Sequence, residues 1–285
     1  MRPIRNQNAE QFAHAISNNI INGQAKRETL MTSKKQNIIA VASGKGGVGK
    51  TWLSITLTHL MARAGRRACL LDGDVGLANI DVQLGIAPPE DLSDIFTKGK
   101  HLRDIAYPYE EGGFDIIPGR SGSGDMAELP APALETLNNQ LQEIANDYDF
   151  VLMDLGAGIE NNVRFLAALA DRVIIVLTDE PTSLTDAYAF IKLCLQQENT
   201  PKIEIVVNQA ATQKEGEKIY QSILKACQNF LNYEPKLLGV IRKDNKVRDS
   251  IRSQSPMLKK SPQSTGATDA AAIAVKLMQN QMQNA

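Results

Sequence analysis

The residues most plainly suited to chemistry are Gly44, Lys45, Gly46, Gly47, Val48, Gly49, Lys50 and Thr51, whose spacing is G-x-x-x-x-G-K-[ST]. Glycines let a backbone curl until successive N–H groups point at phosphate oxygens. A helix behind the curl adds the positive end of its dipole. Lys50 is placed to reach the β- and γ-phosphates, and the Thr51 hydroxyl to ligate Mg²⁺. Lys45 is a second cation inside the curl. It faces away from its own phosphates more easily than towards them, so it is expected to complete a second site, in a partner subunit. Three acids close apolar runs: Asp72 and Asp74 after Ala68–Leu71, and Asp154 after Phe150–Met153.

The elements that must hold these groups alternate. Asn37–Ala42 predicts a buried strand and Trp52–Arg63 a helix, with Gly65 as its C-cap. Ala68–Leu71, Phe114–Ile117, Phe150–Asp154, Arg172–Thr178, Ile203–Asn208 and Leu237–Ile241 read as further strands. Helices are expected over Leu92–Phe96, Pro132–Ala145, Thr182–Gln196, Glu215–Phe230, Asn245–Ser253 and Thr268–Met282, the turn after Arg172–Thr178 being capped by Thr182 or Ser183. Most strands are apolar on both faces. The predicted fold is therefore α/β, a mainly parallel, doubly wound sheet with helices on both faces. Sites in such sheets lie at the C-terminal ends of strands, where the loop and the acids fall. Residues 1–36 are polar and read as an N-terminal extension, a short helix over Ala9–Ile21 and a linker; residues 37–285 form one domain.

Composition is that of a globular chain, 43% hydrophobic and 22% charged in 285 residues. The net charge of −1 supplies no global field for nucleic acid or acidic lipid. Cys69, Cys194 and Cys227 are scattered without C-x-x-C and read as reduced thiols of a cytoplasmic protein. No apolar run of ~18 residues predicts a membrane span, and the N-terminus has no signal-peptide core.

Lys45–Thr51 resembles the deviant Walker A loop of the MinD/ParA ATPases, P-loop NTPases whose extra lysine crosses the interface of an ATP-sandwiched dimer. The resemblance implies ATP and Mg²⁺ as cofactors, slow dimerisation-dependent hydrolysis, and a MinD-like fold. It places Asp154 as the Walker B acid that holds a metal-bound water. Gly156-Ala157-Gly158 is similar to the segment that senses the γ-phosphate, with Leu155 departing from the usual small hydroxyl residue. Asp74–Asn79 resembles the first switch, so Asp74 is assigned to orienting the attacking water and Asp72 to the Mg²⁺ surroundings. Trp52 replaces a hydroxyl or amide residue near the α-phosphate and is left its backbone N–H. Asn208 is placed as the adenine contact. Arg242, in Ile241-Arg242-Lys243-Asp244, replaces the proline of the loop that covers the base.

Glu180–Tyr188 is similar to the corresponding run of the flagellar number regulators, the FlhG/FleN branch of that family, and Asp74–Asp81, Gly156–Ile159 and Val247-Arg248 agree with it. The branch implies an ATP-dependent homodimer that regulates flagellar number by binding a flagellar transcription activator and an FlhF-type GTPase. Gln7–Phe12 is loosely similar to the element that stimulates that GTPase in some members. Alternatives are a spatial positioning or partition ATPase of the MinD/ParA kind, with Arg248, Arg252, Lys259 and Lys260 as a basic patch, and a nucleotide-gated binding module with little hydrolysis. Direct DNA binding is not expected. The C-terminal helix carries Lys276 as its one cation and reads as the domain's last helix, with membrane contact weak or absent. The expected location is the cytoplasm, recruitment to the pole or membrane being left open.

Overall fold

The computed structural model describes residues 36–285 apart from 75–76, 120–129, 198–199 and 285. The expected helix over Ala9–Ile21, the Gln7–Phe12 element and most of the Gly119–Gly124 loop lie outside the described residues.

Eight strands form one sheet: β1 Ile38–Ser43, β2 Ala68–Gly73, β3 Tyr107–Tyr109, β4 Phe114–Ile117, β5 Phe150–Ala157, β6 Arg172–Leu177, β7 Lys202–Ala210 and β8 Lys236–Arg242, in the spatial order β3-β4-β2-β5-β1-β6-β7-β8. Every pairing is parallel except the edge pair β3–β4. Strand β1 sits mid-sheet between β5 and β6, and its connection leaves on the β5 side towards β2. That is the switch point, where a crevice opens beyond the strand ends.

The helices are α1 Lys50–Arg63, α2 Ile80–Leu84, α3 Ser93–Lys98, α4 Leu102–Ile105, α5 Ala131–Ile144, α6 Asn161–Leu169, α7 Pro181–Leu195, α8 Gln213–Leu231, α9 Asn245–Arg252, α10 Met257–Lys260 and α11 Thr265–Asn284. They divide the core in two. Helices α5 to α8 cover one face, packing Leu141, Leu166, Phe190 and Ile223 against Val151, Ile175 and Ile205. Helices α1, α10 and α11 cover the other, packing Leu53, Leu57 and Leu277 against Val41, Leu70 and Ile174. Helix α1 lies between the sheet and α11 and is buried nearly all round, from Lys50 to Met61. Leu53, Leu57 and Met61 are fully buried. Each such side chain contributes ~1.5–3 kcal/mol by transfer from water, which holds the phosphate loop's helix rigid.

Five elements depart from what the sequence predicts. Helix α6 was not anticipated, yet β5 and β6 both pair with β1 in parallel and need a crossover between them. The short β3, α4 and α10 are too brief to carry a periodic signal. Helix α7 starts at Pro181 without a side-chain cap. Its expected cap residues are used elsewhere: the Ser183 hydroxyl accepts the Thr178 N–H at 3.1 Å, and Thr182 turns to Lys45.

Candidate functional site

The loop between β1 and α1 lies at the switch point, with the ends of β2, β5 and β7 around it. Register brings the acids together: Asp72 on β2 stands opposite Asp154 on β5, and β5 is hydrogen-bonded to β1. The Asp154 carboxylate is 1% exposed. It accepts from the Thr51 hydroxyl at 2.6 Å and from the Ser54 hydroxyl at 2.9 Å. Ser54 was not singled out in the sequence. The signal was its place three residues past Thr51, one turn along the same helix face. Two hydroxyls and a carboxylate converging beside Lys50 suit a hard, oxygen-seeking cation. Of these, Thr51 and Asp154 would hold Mg²⁺.

Burial dominates the electrostatics. It pushes Asp154 up to about 6, against the Thr51 hydrogen bond, the Lys50 charge and the Ser54 hydrogen bond. It pushes Asp72 up to about 7, with Asp154 adding to the rise. Lys50 lies below its ordinary value for the same reason, although Asp154 and Asp74 pull it up. Asp74 is raised by burial, lowered by Lys50 and raised by Glu160. A cation among these acids relieves all of them together.

Asp72 and Asp74 have different surroundings. Asp72 accepts backbone N–H bonds from Asp74 at 3.2 Å, Asn79 at 3.0 Å and Ile80 at 3.1 Å. It ties the start of α2 to the end of β2. Asp74 is half-buried and lies against Gly156, where an added Cβ would meet its Oδ1 at 3.1 Å. Glycine at 156 thus lets the β5 turn and the β2 end approach each other. Glu160, which the sequence reading passed over, lies over the same turn and acts on Asp74 through its charge.

Lys45 is engaged within its own chain. Its ammonium pairs with Glu180 and donates to the Thr182 hydroxyl at 3.0 Å. The run at Glu180 therefore anchors the extra lysine at the head of α7.

Two expected nucleotide contacts, Asn208 and Arg242, have protein partners. Asn208 donates to the Val48 carbonyl at 2.7 Å and accepts the Gln209 N–H at 2.9 Å. Gly49, at φ 93°, has no room for a Cβ, which would lie 2.5 Å from the Asn208 amide nitrogen. Asn208 thus holds the loop in its curl. Gln209 adds a bond to the Gly47 carbonyl at 3.4 Å from a left-handed backbone, φ 60°. Arg242 is clamped by Asp269 with bonds of 3.0 and 2.8 Å. Trp52 is buried, with its indole N–H unpartnered among the described residues.

A family model, the CobQ/CobB/MinD/ParA nucleotide binding domain, matches residues 39–257. The chain belongs to this family. Within it, the chain is 36% identical over 240 residues to the antiactivator FleN of Pseudomonas aeruginosa, a match covering 84% of this chain and 85% of that protein. It is 29% identical to the flagellum site-determining protein YlxH of Helicobacter pylori, over 86% of this chain and 82% of that protein. These matches put the chain in the FleN-like, flagellar branch of the MinD/ParA ATPases. Among solved structures, the septum site-determining protein MinD of Pyrococcus horikoshii, complexed with Mg-ADP, superposes with a TM-score of 0.72 at 23% identity, over 87% of this chain and 98% of that one. The doubly wound P-loop fold expected from the sequence is the one observed.

Proposed function

We propose that this MinD/ParA-type chain is a Mg²⁺-dependent ATPase that works as an ATP-gated dimerisation switch in the control of flagellar number. The observation that carries the reading is the joined set of Lys50, Thr51, Asp154, Asp74 and Lys45 in a chain similar along most of its length to an antiactivator named FleN. The loop N–H groups and the α1 dipole bind the phosphates. Lys50 neutralises charge on the transferring group. Thr51 and Asp154 would hold Mg²⁺, which would supply charge neutralisation at the phosphates. Asp74, at the strand end beside the Gly156 turn, orients the attacking water. Lys45 leaves Glu180 and Thr182 to enter a partner's site, which makes hydrolysis slow in the monomer.

As for an antiactivator such as FleN, the output is binding to an activator; the resemblance of Glu180–Tyr188 to the flagellar number regulators makes that target a flagellar transcription activator and adds an FlhF-type GTPase as a second partner. No described helix is long and apolar enough to cross a membrane. A partition role is disfavoured: of the four candidate basic-patch residues, Lys259 pairs with Glu111 at 2.6 Å and Lys260 bonds Ser253 at 2.8 Å. A binding module with little hydrolysis draws support from the engaged Asn208 and Arg242 and from buried Trp52.

Light scattering in ATP–Mg²⁺ and in ADP, for the wild type and Asp74→Ala, tests the switch. A dimer formed only with ATP and held longer by Asp74→Ala supports it. A monomer in every state overturns it. Equal turnover by wild type and Asp74→Ala moves the reading to the binding module.

A further inference from the structure

Away from the nucleotide site, α7 and α8 run side by side over the sheet and leave an apolar groove of about 370 Å³ between them. Its α7 wall is Leu184, Thr185 and Tyr188; its α8 wall is Ser222, Ile223, Ala226 and Phe230. Phe230 is 76% exposed, against 2% for Ile223 at the floor. A ring so exposed beside an apolar groove gives up burial that it would regain under a partner.

Lysines outnumber acid around the rim, three to one. Lys218 and Lys225 stand one helical turn to either side of Ser222 on α8, and Lys192 stands two turns beyond Thr185 on α7. None of the three is in an ion pair among the described residues. The acid on the α8 stripe, Glu215, is in the first turn, two turns above Ser222.

We infer that this groove docks an acidic amphipathic helix of a protein partner. Its apolar residues, at i, i+3, i+4 and i+7, fill the space between Tyr188 and Phe230, and its carboxylates meet Lys192, Lys218 and Lys225. A second copy of the same face fits poorly, because a two-fold contact sets lysine against lysine. A membrane fits poorly too: the floor at Ile223 lies below the rim, out of reach of a flat bilayer, and Phe230 alone among the groove residues is a large, strongly exposed apolar group. The groove shares α7 with Glu180 and Thr182, so a docked helix presses on the element that anchors Lys45.

The test is selection of a displayed library of random 16-residue peptides on the full chain, with the enriched peptides remeasured by fluorescence anisotropy. The expected set is acidic, with apolar residues at helical spacing. Phe230→Ser should weaken binding about tenfold, and Lys218→Glu with Lys225→Glu at least as much. Both changes are on exposed side chains, so ATP affinity should be unchanged and serves as the folding control. The inference fails if no peptide is enriched, if the enriched set is neutral or basic, or if the variants bind it equally well. Binding to phosphatidylglycerol vesicles that is lost in Phe230→Ser would assign the face to membrane and overturn it. A dimer in the absence of nucleotide that Phe230→Ser dissolves would assign it to a second copy, with the same result.

Discussion

Releasing Lys45 should tighten the ATP dimer. In the monomer, Lys45 is held by Glu180 and Thr182. The lysine side chain is 37% exposed and the glutamate 57%, so the ion pair is screened and contributes only ~0.2–1 kcal/mol. The Thr182 hydrogen bond adds ~0.5–1.5 kcal/mol. Together they hold the lysine by about 0.7–2.5 kcal/mol. A symmetric dimer must release two such latches, about 1.4–5 kcal/mol, or roughly 10- to 4000-fold in the association constant. The double variant Glu180→Gln, Thr182→Val should therefore dimerise at lower concentration in ATP–Mg²⁺, by up to that factor. Sedimentation velocity over a concentration series reads the constant directly. The gain should shrink in high salt, where the wild-type pair is already screened. It should vanish in a Lys45→Ala background, where there is no lysine to release. An unchanged or weaker dimer, or a gain that persists without Lys45, would refute the reasoning.

Other predictions test the supports of the site. Burial holds His59 down to about 4, with Arg63 adding to the fall. Its unfolded form binds more protons than the folded one between about 4 and its ordinary 6.5, so stability falls as pH drops through that window. At ~1.4 kcal/mol per pH unit the ceiling is about 3 kcal/mol. His59→Gln should flatten the loss of melting temperature between pH 7.5 and 5; an unaltered slope counts against it. Ser54→Ala removes a bond to ionised Asp154 and so raises that acid's pKa further. The acid limb of the ATPase pH profile should move to higher pH, and a profile that only scales in height would mean that Ser54 is a packing residue. Asn208→Ala frees the Val48 carbonyl from its clamp. A buried acceptor left bare costs ~1–3 kcal/mol, and ATP and ADP should both bind about tenfold more weakly. Loss of adenosine affinity alone, with inorganic triphosphate binding intact, would instead assign Asn208 to the base.

The sequence by itself determined the loop, its helix, the alternation of strand and helix, and the acids at strand ends, because each is written in local spacing and apolar runs. It determined the family for the same reason, since Lys45–Thr51 and Glu180–Tyr188 are contiguous. Only the tertiary structure decided which groups meet. Asp154 reaches Thr51 and Ser54 across 103 and 100 residues, Asn208 reaches Val48 across 160, and Lys45 finds Glu180 across 135. Such contacts are set by strand order and register, which no local pattern carries. The same holds for polar side chains whose type suits two tasks. Asp72 is expected near the metal, and register sets it opposite Asp154 while three backbone N–H groups hold its carboxylate. Arg242 was read near the base, and the packing of α11 on β8 brought Asp269 to its guanidinium. The residue types bounded what each group could do, and the burial and partners provided by the fold selected among those possibilities.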